Sequence, residues 1–251
     1  MSSNKSGFQN EDDIIFYLNM RQFRDLNENM KNFLHFIYHD IKDNDIVMAR
    51  AGIPRQKPDL EITVNNVSKN ISVKKGTGNS VHQEGVWSFM AFLKSIGVNQ
   101  NVIDELLRYH WSDGSNDGNG SIRVSSSEYK ASHKKQIKRI NDELNKPKFL
   151  TAITNRILFQ GNNAAFKMAE YIYHGNITQG HWASANEIVN YANLHSFSVN
   201  SVHFGPLTYQ IWNSCLNHNP NTEARRSVMQ SKWGTISRDL STIECERRRH
   251  E

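Results

Sequence analysis

Residues 59–74 constrain this chain most, because apolar and polar side chains alternate there with a period of two on either side of a short polar break. Leu60, Ile62 and Val64 alternate with Asp59, Glu61 and Thr63; beyond Asn65-Asn66-Val67-Ser68, Ile71 and Val73 alternate with Ser72 and Lys74. Period two marks a strand with one buried face, and Asn tolerates the backbone of a tight turn. A hairpin is predicted. A one-residue slip would turn the apolar row to water, so only loops of even length are compatible with burial. A two-residue turn at Asn65-Asn66 sets Val64 against Val67 and Asp59 against Ser72. A loop from Asn65 to Ser68 sets Val64 against Lys69 and Asp59 against Lys74. Either register gathers Asp59 and Lys74 on one face.

Around the hairpin, residues 11–40 carry apolar side chains at helical spacing, as one long amphipathic helix or two short ones. Ser80 is expected to open a helix that Gly97 stops, and a short helix follows over Gln100 to His110. A polar loop from Ser112 to Gly120 leads to a basic helix, Ser127 to Leu144, bearing Lys130, Lys134, Lys135, Lys138 and Arg139. Ile153, Ile157 and Phe159 suggest a core strand, and 162–194 reads as helices about a link at His174–Gly180. From Ser198 on, Val202–Phe204 is strand-like, Leu207–Trp212 is an apolar stretch and Val228–Trp233 closes the segment, while Arg247-Arg248-Arg249 reads as a frayed tail. This order argues for an α/β or α+β fold, and α/β is the expectation. The expected division is a core with the N-terminal helix over 1–161 and a C-terminal α+β extension over 162–251, packed on the core.

Composition narrows the function. Thirty Lys and Arg against 25 Asp and Glu give a net charge of +5 over 251 residues, which suits a polyanion partner. The two cysteines, Cys215 and Cys245, form no zinc-binding spacing and no disulfide framework, so a reducing cytoplasm is expected. No stretch approaches the roughly 18 apolar residues that a membrane span needs.

A strand carboxylate such as Asp59 can hold Mg²⁺, and a lysine beside it can orient or deprotonate water next to a scissile phosphate. One carboxylate is a thin site for a hard dication, so a second is expected. Glu84, placed in the first turn of the following helix with Gly76 and Gly78 allowing the chain to fold back, is the first candidate; Glu61 is the alternative. The run Pro58-Asp59, Ser72-Val73-Lys74 and Glu84 resembles the PD-(D/E)xK nucleases. In particular it is similar to type II restriction endonucleases in which the motif reads P-D…S-x-K…E. The resemblance covers about Lys57 to Glu84. It implies a restriction-endonuclease-like core, αβββαβ, with a central mixed sheet flanked by helices. It also implies Mg²⁺-dependent cleavage of double-stranded DNA, with Asp59 and Glu84 on the metal, the Val73 carbonyl in the metal shell, and Lys74 on the attacking water. It makes 1–161 the catalytic core and leaves 162–251 to serve DNA grip or dimerisation, and a palindromic target would imply a homodimer.

Candidate DNA contacts are Lys75, Asn79, Ser80, His82 and Gln83 in the segment after the second strand, where backbone N–H groups could meet a phosphate. Arg123, Arg225 and Lys232 join them as possible phosphate ligands. The loop from Asp113 to Asn119 has calcium-loop spacing but lacks the closing Glu. Two other readings stay open: a repair or defence nuclease acting on structured DNA or RNA, and a non-catalytic nucleic-acid-binding protein.

Overall fold

The computed structural model describes residues 3–76, 80–121, 123–163, 165–195, 197, 200–211 and 225–249. Contacts divide the chain into two compact units: Met1–Asn79, Leu158–Ile188 and Thr235–Glu251 form the first, Ser80–Ile157 and Val189–Gly234 the second. The boundary expected at Gly161 does not coincide with this division, since residues beyond it contribute to both units.

The first unit is built on a six-stranded sheet. Its order is β1 (Arg21–Gln22), β2 (Ile46–Ala51), β3 (Leu60–Val64), β4 (Val67–Lys74), β6 (Tyr171–Gly175) and β7 (Gly180–Ser184). Only β4 and β6 run parallel, so the sheet is mixed. Two helices supply one covering layer: α1 (Ser3–Leu18) and α2 (Glu28–Ile37). Ile14, Leu18, Met30, Phe33 and Leu34 pack there with Val47, Leu60, Ile62, Ile71 and Val73 in one core cluster. Each such side chain contributes about 1.5–3 kcal/mol by leaving water. The break between α1 and α2 is set by the Asn27 cap, whose side chain accepts from the Met30 N–H at 2.9 Å. After β7 comes α8 (Ala185–Leu194), and α9 (Ile236–Arg247) packs against β6 and β7. Arg247 belongs to α9 rather than to a frayed tail: its guanidinium donates to Glu187 at 2.6 Å and to the Trp182 carbonyl at 3.0 Å.

The second unit holds a four-stranded antiparallel sheet ordered β5 (Ser80–Gly85), β10 (Val228–Lys232), β9 (Leu207–Gln210), β8 (His203–Phe204). Its helices are α3 (Val86–Ser95), α4 (Gln100–Trp111), α5 (Ser126–Ser132), α6 (Lys134–Leu144) and α7 (Pro147–Asn155). Phe89, Phe204 and Tyr209 pack ring against ring in its core.

Several local expectations are corrected. Ser80 opens a strand, not a helix, and α3 begins only at Val86 because 80–85 pairs with β10. The basic helix breaks at His133, whose ring stacks on Tyr129 at 3.9 Å. Ile153 lies in α7 and Ile157 in a π-helical turn over Arg156–Gln160, so this segment is not a strand. Residues 171–184 form a hairpin where helices were expected.

Candidate active site

The geometry of the site starts with the turn. Asn65 and Asn66 adopt φ of 48° and 64°, the left-handed conformation that a two-residue hairpin turn requires. Val64 therefore pairs with Val67 and Leu60 with Ile71, which puts Asp59 beside Ser72. Asp59 immediately precedes β3 and is pinned through its backbone: its N–H donates to Ile71 and its carbonyl accepts from the Gly52 N–H, both at 2.9 Å. Only glycine fits at position 52, where a Cβ would stand 2.0 Å from the Pro58 carbonyl oxygen.

Three donors converge on one carboxylate oxygen. Asp59 Oδ2 accepts from the Val73 N–H at 2.7 Å, Lys74 Nζ at 2.9 Å and Ser72 Oγ at 3.0 Å. Lys74 Nζ also donates to the Val73 carbonyl at 2.9 Å, so that oxygen, expected in a metal shell, already holds the ammonium. Among the described residues Asp59 Oδ1 has no hydrogen-bond partner. The pair is partly open to solvent, with 23% of the Asp59 side chain and 20% of the Lys74 side chain exposed.

A further acid enters this field from α1. Glu11 makes no hydrogen bond or ion pair among the described residues, and its pKa is pushed up to about 7. Burial is the main cause and the Asp59 carboxylate adds to it; Lys74 opposes them, and Asp12 contributes a little. Asn10 anchors this part of α1 by donating to the Gly175 carbonyl at 3.0 Å, at the end of β6. On β6, His174 is the register partner of Lys74, and burial holds its imidazole below the ordinary value.

Neither carboxylate expected to be the second ligand is free. Glu61 lies on the polar face of β3, buried, and is held by Lys167 at 2.8 Å and by Arg50 at 3.1 Å. The Lys167 hydrogen bond is the main reason its pKa is lowered. Glu84 sits in the second unit, on β5 rather than on a helix, with a fully buried side chain. Arg156 donates to both its oxygens at 3.0 and 2.7 Å, Ser88 donates at 3.0 Å, and His82 lies at 3.0 Å. Burial alone would raise the Glu84 pKa, yet the His82 and Arg156 hydrogen bonds outweigh it and bring the value to about 2.

The candidate DNA contacts scatter in character. His82 is buried against Glu84, and Arg123 is buried with Nη2 donating to the His110 carbonyl at 2.6 Å; both are structural, contrary to expectation. Lys75, Ser80, Gln83 and Arg225 are exposed, Ser80 accepting from Gln230 at 2.6 Å, and Lys232 on β10 is half-buried. Asn79 lies outside the described residues. Asp113, in the loop with calcium-like spacing, is buried and paired with Arg226 at 3.0 Å, while Ser115 donates to it twice. Among the described residues no three metal-ligating side chains come together.

Glu11 was not singled out from the sequence as a site residue. It sits in an acidic run at a helix, far in sequence from the hairpin, and no local spacing ties it to Asp59. Asp59 Oδ1, which has no hydrogen-bond partner among the described residues, and the Glu11 carboxyl are oxygen donors of the kind Mg²⁺ takes alongside water.

No family model matches the chain, and no curated protein does. Among solved structures it is similar to the restriction endonuclease MspI, determined in complex with its cognate DNA. The match has a TM-score of 0.54 at 13% sequence identity and covers 92% of this chain and 93% of that one. At that identity the likeness shows the fold: a mixed α/β fold of the restriction-endonuclease type, with a central mixed sheet flanked by helices.

Proposed function

We propose that the chain is a Mg²⁺-dependent endodeoxyribonuclease of the type II restriction kind, cutting double-stranded DNA at a specific site. The observation that carries this reading is the contact of Lys74 Nζ with Asp59 Oδ2 at 2.9 Å, beside an open Oδ1 and with the Glu11 carboxyl in the same electrostatic field. In this reading Asp59 and Glu11 hold the metal, in place of Glu84 and Glu61, whose charges are already answered by cations. A cation held there would lower the pKa of nearby water and neutralise charge building on the phosphate.

The protein's own contribution is positional. Val73 N–H and Ser72 Oγ fix the Asp59 carboxylate, so Oδ1 is presented without a search through rotamers. Lys74, clamped between Asp59 Oδ2 and the Val73 carbonyl, keeps a positive charge at the rim, where it can orient a water and offset a phosphate oxygen. The fold likeness to an endonuclease solved on DNA and the net charge of +5 are consistent with such a substrate.

Plasmid digestion with Mg²⁺ and with EDTA, followed by sequencing of the ends, tests the proposal. Discrete ends that vanish with EDTA and in Asp59→Asn support it. Cutting that persists in Asp59→Asn overturns the assignment, and structure-dependent or diffuse cutting replaces site specificity with a repair or defence role. Palindromic ends together with a two-protomer mass in solution would extend the reading to a homodimer.

A further inference from the structure

The second unit carries a concave surface that the catalytic reading does not use. A groove of about 750 Å³ is lined by α5, α6 and residues between 197 and 203. Lys130, Lys134 and Lys138 line it at intervals of four residues, over a floor that includes Ala131, Ile137 and Phe197. Lys130 lies on α5, before the break at His133, and Lys134 and Lys138 lie on α6 about 6 Å of helix rise apart.

The charges on α5 and α6 are not equally compensated. Arg139, which does not line the groove, is tied to Glu105, and Gln136 donates to the Glu105 carbonyl at 2.8 Å. Within the groove, Lys138 is paired with Asp142 at 2.6 Å. Lys130 and Lys134 have no acidic partner among the described residues. Lys130 is half-buried, and that burial lowers its pKa. Asn141 is occupied with the backbone of Ser201 and His203 and offers the groove little. Two uncompensated ammonium groups in a recess with low-dielectric walls focus positive potential on whatever enters.

We propose that this groove seats the phosphodiester backbone of the bound DNA, with Lys130 and Lys134 each neutralising a phosphate. The proposal rests on the nuclease reading for the identity of the polyanion. Two lysines without acidic partners among the described residues suit a backbone contact, which adds affinity at every sequence and discriminates none.

The test is DNA binding by the full chain, read by fluorescence anisotropy in EDTA across a salt series. One labelled duplex carries the cleavage site and another does not. Combined Lys130→Met and Lys134→Met keep the aliphatic stems while removing both charges. The expected result is an affinity about ten-fold weaker on both duplexes, with the slope of log K against log salt reduced by about 2. Cleavage at saturating DNA stays at the wild-type rate. Combined Lys130→Arg and Lys134→Arg, which keep the charge, should restore the wild-type slope, and Lys94→Met, elsewhere in the same unit, should leave it unchanged. An unchanged slope in the Met variant, while the wild type binds and cuts, overturns the groove alone. So does a loss shared equally by Lys94→Met. A wild type that neither binds nor cuts DNA overturns the nuclease reading and the groove with it.

Discussion

Arg156 grips Glu84 through both carboxylate oxygens, Nε to Oε1 at 3.0 Å and Nη2 to Oε2 at 2.7 Å, where the Glu84 side chain has no exposed surface. Removing one partner of such a pair strands the other charge away from water. Arg156→Ala is therefore expected to destabilise the protein by about 3–5 kcal/mol in urea denaturation. Replacing both residues by apolar ones of similar volume should recover much of that loss. The pair also sets an acid limit. The folded pKa of Glu84, about 2, lies below the ordinary 4.5, so its stabilisation is complete above 4.5 and lost as pH falls through about 2. The wild type should lose stability across that window more steeply than Glu84→Gln.

Glu11 has the opposite sign. Its folded pKa of about 7 lies above the ordinary 4.5, so its contribution to stability is complete below 4.5 and lost as pH rises through 7. Glu11→Gln should raise the melting temperature of the metal-free protein at pH 8, a gain of about 1 kcal/mol after allowing for partial solvent exposure. The same change should weaken Mg²⁺ binding and flatten the rise in Mg²⁺ affinity between pH 6 and 8. Calorimetric titration with Mg²⁺ at the two pH values checks both. A variant that is no more stable and binds Mg²⁺ like the wild type would remove Glu11 from the site.

Lys74 is partly exposed and rests on Asp59 and Val73. Lys74→Ala should cost little stability but lower single-turnover DNA cleavage about 10²- to 10⁴-fold, the range for losing a positioned proton-transfer or electrostatic group. Lys74→Arg should not restore the rate, because a planar guanidinium cannot replace a compact ammonium in the same clamp. Full activity in Lys74→Ala would show that this lysine only braces Asp59.

The turn that sets the register can be tested without touching the site. Both Asn65 and Asn66 sit at positive φ. Asn66→Gly should be neutral or slightly stabilising, whereas Asn66→Val should cost about 1–2 kcal/mol because a β-branched side chain resists the left-handed conformation. Thermal denaturation of the two variants reads the difference. Equal melting temperatures would show that the turn does not hold the hairpin's register.

The hairpin was legible because its register is enforced locally: five apolar side chains on one face and two asparagines suited to the turn leave few alternatives. The nearness of Asp59 and Lys74 follows from that alone. Glu84 was misplaced because its environment is made by distant chain. The 80–85 strand exists only by pairing with 228–232, and Arg156 arrives from beyond α7. The helix over 147–155 was misread because Ile153 and Ile157 fit a buried strand as readily as a helix. The β6–β7 hairpin was missed because Tyr171, Ile172, Tyr173 and His174 show no alternation, their strands being covered on both sides. Arg123 and His82 read as surface groups because a sequence shows charge but not burial.

The threading of the chain bears on its synthesis. Asp59 and Lys74 are joined by a local hairpin, yet β4 must wait for its parallel neighbour β6, with the whole 75–170 stretch emerging in between. During that interval one margin of β4 has no strand beside it, with its amides and carbonyls open to whatever strand is nearby. A nascent or truncated chain ending before Tyr171 would thus carry an assembled acid–lysine pair on a sheet with an open, adhesive edge. Such a fragment should cross-pair with its own copies rather than persist as a soluble monomer.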